Sequence, residues 1–453
     1  MVLDSDGHLV WMPSQSEFRH ARDFQVQNLR GENYITFLSG KGAGGYGDAY
    51  TMLDSSYKVH KLVKPVGNFT GRLSGFRLTH AGTALITISQ VLIYEPIDAN
   101  VPKFETIFQE IDLDYGELLF EWRASRHNIA PSSDPIPIQN VDKDVEGNFL
   151  VSTERSIICL SGIEGHVLWR LGGDGNEFQA LSKGATSLSP GHHATWHNST
   201  TLLITNGHSD GSRDLSQKRY SPIMLVKLDV LKRTATVIKD FRFPHQSSTS
   251  TETIQFLNTT ILTHKEETSI VMEYADKELL CEMHLAAARL PSSWTPSYRV
   301  AKHKWSGHPD TLPQVAVRPL ENAVYVSWNG ATDIDSWIFQ SGPEQNGNVF
   351  IDHIRVRKTG FETRIELPRR TENYIRLVAL DRNGKLASIS AAVSKHVKIG
   401  GNFIDTKFEP RIWVALAVVA ILAACLGRDA YRPIIRRAKP RHSSLVKHVD
   451  RSL

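Results

Sequence analysis

Tyr115-Gly116-Glu117-Leu118-Leu119-Phe120-Glu121-Trp122-Arg123 and Glu164-Gly165-His166-Val167-Leu168-Trp169-Arg170-Leu171-Gly172-Gly173 are two versions of one pattern, a glycine turn, an apolar strand and a Trp-Arg pair. Repetition of this kind marks the outer hairpin of a propeller blade. Between the two, Val141-Asp142-Lys143-Asp144 leads through Glu146-Gly147-Asn148 into Phe149-Leu150-Val151, a further tight turn that feeds a strand.

Working outward, similar turns recur. Asp6-Gly7 precedes Leu9-Val10-Trp11, and Asp54-Ser55-Ser56-Tyr57 precedes Val59-His60-Lys61-Leu62. Lys232-Arg233 precedes Ala235-Thr236-Val237-Ile238, and Asp276-Lys277 precedes Leu279-Leu280. With Gly116 and Gly165 these make a series spaced at roughly 45–70 residues, the size of four-stranded blades. Helical periodicity is almost absent before the C-terminus, where alternation and Gly/Asn/Asp/Ser turns dominate. The expectation is an all-β chain with a six-bladed β-propeller over residues 1–310; two stacked β-sandwiches are the alternative. The string Gly42-Ala43-Gly44-Gly45-Tyr46-Gly47 leads into the strand Tyr50-Thr51-Met52-Leu53 rather than a helix, so it reads as a crossover between blades and not a phosphate cradle.

Residues 311–397 change character. Short alternating strands follow one another around Val315, Val324-Tyr325-Val326, Trp337-Ile338-Phe339, His353-Ile354-Arg355-Val356, Thr363-Arg364-Ile365, Tyr374-Ile375-Arg376-Leu377 and Ala387-Ser388-Ile389. Trp328 comes early, and Asn383-Gly384 forms a tight turn before the last strand. That pattern suits an immunoglobulin or fibronectin type III sandwich.

After a linker (398–411) comes the uncharged run Ile412–Gly427, flanked by Arg411 and Arg428, with Trp413 and Tyr431 near its ends. It reads as a single transmembrane helix, with a buried helix as the alternative. The tail 428–453 holds Arg428, Arg432, Arg436, Arg437, Lys439, Arg441, Lys447 and Arg451 against Asp429 and Asp450. The positive-inside rule puts that tail in the cytoplasm and the β domains in the lumen or outside the cell. The sequons at Asn68, Asn198 and Asn258 agree with this placement. A tail-anchored arrangement with a cytosolic propeller is the second topology. No signal peptide precedes Leu3-Asp4-Ser5-Asp6, so the expectation is either a chain that is not secreted or one with residues missing upstream.

The 453-residue chain has a net charge of +4, and no basic, aromatic-interleaved patch calls for nucleic acid. Three cysteines are too few for a disulfide framework, so Cys159 and Cys281 are expected free and buried. No His/Cys cluster has zinc spacing, and no cofactor is expected. The serines offer no G-x-S-x-G elbow.

Trp169-Arg170-Leu171-Gly172-Gly173, Val141-Asp142-Lys143-Asp144, Pro131-Ser132-Ser133-Asp134-Pro135 and His20-Ala21-Arg22-Asp23-Phe24 resemble fungal members of the arylsulfotransferase family. So do Tyr325-Val326-Ser327-Trp328-Asn329-Gly330 and Gly360-Phe361-Glu362-Thr363, and the likeness runs to about residue 396. The family pattern normally begins further upstream. The resemblance implies a six-bladed propeller with an axial funnel. Bacterial relatives move a sulfuryl group from an aryl sulfate to a phenol without a nucleotide donor, through a sulfohistidine. Neutral imidazole is a competent nucleophile near pH 7, and fixed donors must hold the sulfuryl oxygens.

By position, the resemblance implies His192, in Gly191-His192-His193-Ala194-Thr195, as the candidate nucleophile. It implies Arg155, Gln255 and His20 as substrate-binding groups, with His197 and His245 as further rim candidates. Taken without the family, His192-His193 reads first as a solvated loop pair and only second as a funnel-facing group. The chain departs from the family where His-x-Asn should precede Val141: Pro135-Ile136-Pro137-Ile138-Gln139-Asn140 holds no histidine. Thr195 stands where the family has arginine, and Thr263-His264-Lys265 replaces a Gly/Trp-rich strand end. Losing one oxyanion-type donor costs roughly 100- to 1000-fold in rate. The expectation is therefore a binding module with degenerate sulfuryl transfer. Its ligand would be a phenol, an aryl sulfate, a glycan or a protein, and the active transferase is the alternative.

Overall fold

The computed structural model describes residues 1–13, 18, 21–39, 49–67, 69, 72–92, 103–127, 138, 140–153, 156–188, 192–205, 223–241, 252–257, 259–265, 270–276, 278–285, 300–396 and 436–437. Among them every regular element longer than one turn of 3₁₀ helix is a strand. None forms a helix long and apolar enough to cross a membrane. The run 412–427, the linker before it and the string 42–47 lie outside the described residues.

Strands β1 (Val2–Leu3) and β2 (Leu9–Trp11) form a two-stranded sheet. Five antiparallel meanders follow, each in sequence order. The first holds β3 (Arg22–Leu29), β4 (Glu32–Ser39), β5 (Ala49–Leu53) and β6 (Val59–Val63). The second holds β7 (Arg72–Leu78), β8 (Thr83–Leu92), β9 (Lys103–Asp112) and β10 (Leu118–Arg123), and the third β11 (Asn140–Lys143), β12 (Phe149–Ser152), β13 (Ile157–Leu160) and β14 (Val167–Leu171). In the fourth, β15 (Gln179–Ala180) pairs in parallel with the outer strand of the meander β16 (His193–Asn198), β17 (Thr201–Thr205), β18 (Ile223–Asp229) and β19 (Thr234–Phe241). The fifth holds β20 (Glu252–Leu257), β21 (Thr260–Lys265), β22 (Ile270–Ala275) and β23 (Glu278–His284). The six expected turns all sit where the repeat puts them. Five join the third and fourth strands of a meander, and the Asp6-Gly7 turn joins β1 to β2.

The meanders stack face to face in chain order, as propeller blades do. Trp11 packs on Ile35, Phe37 and Leu53; Tyr50 and Met52 meet Phe76 and Ile107; Phe108 and Trp122 meet Phe149 and Ile158. Further round, Trp169 and Leu171 meet Leu202 and Val226, and Ile223 and Phe241 meet Ile261 and Tyr274. Inner strands touch in sequence, β3 on β7, β7 on β11 and β11 on β16. Both faces of a middle sheet are covered, which is why β5, β12 and β13 are buried at every position and their sequences read as apolar runs rather than alternating ones.

One turn is used repeatedly. Its first residue accepts the N–H groups two and four positions on through a carboxylate oxygen at Asp4, Asp54, Asp144 and Asp381. The fourth position then adopts positive φ: Gly7 at 84°, Gly147 at 91° and Gly384 at 77°, but Tyr57 at 65°. A side chain there costs about 1–2 kcal/mol relative to ordinary backbone, so something must hold Tyr57 in place.

The holder is the second domain. Strands β24 (Gln314–Arg318), β25 (Ala323–Ser327) and β28 (Glu362–Glu366) form one sheet, in the order β24-β25-β28. Strands β26 (Ile334–Gly342), β27 (Ile351–Arg357), β29 (Tyr374–Asp381) and β30 (Leu386–Ile389) form the facing sheet, in the order β27-β26-β29-β30, with β31 (Val393–Ser394) also on β29. Trp337, Phe339, Ile365 and Leu377 fill the space between. Tyr57 Oη donates to Gly330 O at 2.8 Å and accepts from Trp305 Nε1 at 2.9 Å, while its ring stacks on Trp11 at 4.7 Å. Gly330 N donates to Val10 O, and Asn329 exchanges two hydrogen bonds with the backbone of Met12. The residues leading into the sandwich also strap the stack. The Lys302 backbone bonds Gln255 of the fifth meander, the Lys304 carbonyl accepts from Asn33 of the first, and His308 N donates to Ser55 O. Residues two apart span at most about 7 Å, so this short strap bridges the last meander and the first. Strand β32 (Arg436–Arg437) pairs with the outer edge of β23.

Burial pushes the Tyr57 phenol up to about 12, against a smaller opposite pull from the Trp305 N–H. A phenol with a raised folded-state pKa contributes stability that is fully present below its unfolded value, about 10. That stability is lost as pH rises through the folded value. Wild type should therefore lose stability between about pH 10 and 12 more steeply than Tyr57→Phe. At neutral pH the same variant, which leaves Gly330 O and Trp305 Nε1 unpaired, should be about 1–3 kcal/mol less stable in urea unfolding.

Candidate functional site

Turns between first and second and between third and fourth strands share one end of the stack; all other connections share the opposite end. His192 and His193, at the start of β16, belong to that opposite end, whereas His197 lies at the other, by the β16–β17 turn. Arg155, His20 and His245 fall in connections outside the described residues, as do the sequons at Asn68 and Asn258. His192 immediately precedes β16 and is 0% exposed. The strand it leads into is fastened to the preceding sheet. Ala194 N donates to Ser152 Oγ at 2.9 Å, and Ala194 O accepts from Asn140 Nδ2 at 2.8 Å. Two residues on, Trp196 N donates to Asp142 Oδ2 at 2.8 Å. Thr195 pairs with Leu203 in the next strand. His193 is half-buried, and His197 is exposed with its ring edge-on to Phe256.

Gln255 is half-buried, and both ends of its amide are engaged by the Lys302 backbone, at 2.9 and 2.7 Å. It ties the strap down. Thr263 and His264, at the far end of β21, are as enclosed as His192, at 0% exposure. Asn198 lies at the exposed tip of the β16–β17 hairpin, its Oδ1 accepting from the N–H and hydroxyl of Thr200.

The motifs that carry the family resemblance turn out to be fastenings. Asp142, nearly buried, takes Arg77 Nε of the preceding sheet at 3.1 Å as well as Trp196 N of the following one. Lys143 Nζ reaches both oxygens of Glu110 in the preceding sheet at 2.7 and 2.6 Å, and Thr83 also donates to that buried carboxylate. Asp144 closes its turn. Trp169 lies edge-on to Phe178 and Trp196, and a side chain at Gly172 would strike Leu188. Trp328 Nε1 donates to Thr311 O, and Asn329 and Gly330 form the joint with Met12 and Tyr57. Sequence reading did not single out Arg77, Glu110 or Ser152; a polar residue in an otherwise apolar strand was the available signal.

Other chemistry is sparse. Cys159 is free and buried, its thiol pushed up to about 12 mainly by that burial, so it is inert at neutral pH. Cys281 is free but only half-buried, a partial correction to the expectation. Among the described residues one trio, Asp4, Asp6 and His8, brings possible metal ligands within 4.8 Å of one another. All three are exposed, and Asp4 Oδ1 is already taken by two backbone N–H groups. A cleft of about 600 Å³ opens at the turn end between the first two meanders, beside Tyr34, His60 and Lys61. Its cations are engaged: Arg30 bridges Asp114 at 3.0 and 2.7 Å, and Lys61 donates to Leu113 O.

No family model matches the chain, and no curated protein does. Among solved structures it is similar to the WD40 domain of Toxoplasma gondii coronin, at 10% identity and TM-score 0.31, covering 60% of this chain and 72% of that one. It is also similar to Hsv2 of Kluyvelomyces marxianus, at 11% identity and TM-score 0.28, covering 56% and 79%. A third is the extracellular domain of a putative one-component system from B. thetaiotaomicron, at 9% identity and TM-score 0.34, covering 86% and 60%. At these scores the likeness carries no argument of its own; the propeller-like arrangement rests on the sheet order and the stacked cores.

Breaking the Lys143–Glu110 pair should expose its structural role. Lys143→Met leaves a buried carboxylate uncompensated and should lower stability by about 3–5 kcal/mol, whereas Lys143→Met with Glu110→Gln should recover much of the loss. Urea unfolding of the two variants checks this.

Proposed function

We propose that the chain is an arylsulfotransferase-like, six-bladed propeller that keeps its family's scaffold as a ligand-binding module and no longer transfers sulfuryl groups. The observation that carries this reading is the complete burial of His192, the histidine the resemblance makes the nucleophile. A nucleophile that must reach sulfur cannot be shut off from the solute. The other departures support it. Gln255 is spent on the strap, Thr195 replaces an arginine, and the segment before Val141 lacks the His-x-Asn pair. Meanwhile the motifs behind the resemblance serve packing and inter-sheet fastening, which a binding descendant would retain.

The sandwich fits a fibronectin type III-like module, since its three-plus-four strand order matches that arrangement. The proposal includes an anchor at 412–427, with the β domains lumenal or extracellular and the tail cytoplasmic. Such an anchor requires the two-residue β23–β32 pairing to give way, because a span would carry Arg436 and Arg437 across the membrane. The ligand classes consistent with the reading are a phenol or aryl sulfate, a glycan or a protein partner.

The test is transfer from p-nitrophenyl sulfate to a phenol by the full chain in detergent. The expected result is no release above background, the same for wild type and His192→Ala. Transfer that His192→Ala abolishes would establish the active enzyme instead. For topology, microsomal chain should show an endoglycosidase-sensitive shift lost in Asn198→Gln when its sequon alone remains, and protease should trim only the tail of intact vesicles.

A further inference from the structure

On the sandwich, the register assigns an outer face to the four-stranded sheet. Ser336 pairs with Arg357 and Ile338 with Arg355 on one side, and with Leu380 and Val378 on the other. Trp337, Phe339 and Leu377 point the opposite way, into the core. Arg355 and Arg357 therefore stand side by side, exposed, on the outer face. Arg355 Nε donates to Ser336 Oγ at 2.9 Å, which lays the side chain across the sheet; its Nη1 lies 4.0 Å from where a side chain at Gly384 would begin. Gly384 belongs to the turn that also exposes Arg382 and Lys385. Four cations thus gather at one corner.

Few carboxylates answer them. Asp335 reaches Arg357 Nε only at 3.9 Å. Asp381 is held as a turn acceptor by the N–H groups of Asn383 and Lys385. Exposed like charges drawn together without matching acids raise the local potential and mark a surface for an anionic partner. Guanidinium groups favour sulfate or phosphate oxygens, which they meet with two parallel hydrogen bonds.

We propose that this corner binds an anionic polysaccharide bearing sulfate or phosphate esters. The cations spread over an open sheet face and a turn rather than a pocket, which suits a linear polyanion that engages them in series. The corner shares the end of the sandwich that holds Gly330 and Gly360 against the propeller. The last strand of the sandwich lies at the opposite end, where Val393–Ser394 pairs with Tyr374–Ile375, roughly a strand's length, about 25 Å, from the corner. The inference rests on the outside placement proposed above and holds whether or not sulfuryl transfer survives.

The experiment loads full chain in detergent on immobilised heparin, on immobilised phosphomannan and on a sulfonate cation exchanger, and elutes with salt. Wild type should elute from at least one polysaccharide later than from the exchanger, and the resin that retains it identifies the ester. Arg355→Ser/Arg357→Ser/Arg382→Ser/Lys385→Ser should bind soluble polysaccharide at least about tenfold more weakly. The turn-only variant Arg382→Ser/Lys385→Ser should fall in between. Lys183→Ser/Lys227→Ser/Lys232→Ser/Lys239→Ser, equal in charge change but on the fourth-meander side of the propeller, should bind as wild type does. Equal loss in that control, unchanged binding in both corner variants, tighter binding to anionic vesicles or DNA than to either polysaccharide, or elution no later than from the exchanger would each overturn the proposal. If Asn198 carries no glycan while corner-dependent retention persists, the placement fails and the binding corner stands.

Discussion

A sheet that is apolar on both faces has to be covered twice. Strands β5, β12 and β13 are buried at every residue, so each meander is stable only between two neighbours, and a linear stack would leave its end faces bare. Here the ends are brought together. The β1–β2 sheet lies on the first meander, and the strap of residues 302–308 runs from Gln255 and Glu273 of the fifth to Asn33, Ser55 and Tyr57 of the first. Burial supplies most of the favourable free energy, but this return path decides which faces find a partner.

Polar contacts then set the register between sheets that apolar contact alone would let slide. Gln27 of β3 bonds Phe76 O and Leu78 N of β7. Arg77 of β7 meets Asp142 of β11, and Asn140, Asp142 and Ser152 fix β16. Glu110 with Lys143 repeats the device further out. Such pairs add little net stability over an apolar substitute, yet they penalise any slipped arrangement that would strand a buried charge. Of these residues, Asp142 and Lys143 belong to the strings from which the expected resemblance to sulfuryl-transfer enzymes was read.

Much of the fold was legible. The turn signals placed the third-to-fourth strand hairpin of every meander, because Asp, Gly and Asn at fixed offsets reflect a local backbone requirement. The change of pattern after Trp305 placed the sandwich. The candidate site was less legible. His192 was found by position, but its burial was not, and the strand after it is held by Asn140, Ser152 and Asp142, residues some 40 to 55 positions earlier. Gln255 read as a binding group, and its engagement by Lys302 across 47 positions has no local trace. Tyr57 read as an ordinary turn residue, since neither its positive φ nor its partner Gly330 can be seen from neighbouring sequence.

Tyr57 also orders events in time. The hydroxyl that offsets its strained backbone finds its acceptor 273 positions downstream. A ribosome adding about 5–20 residues per second delivers that acceptor some 14–55 s after the tyrosine emerges. Throughout that interval the first meander has a turn favouring another backbone shape and a face awaiting Trp305 and the strap. Chain elongation thus leaves the N-terminal sheet unfastened until the first strands of the sandwich have been made.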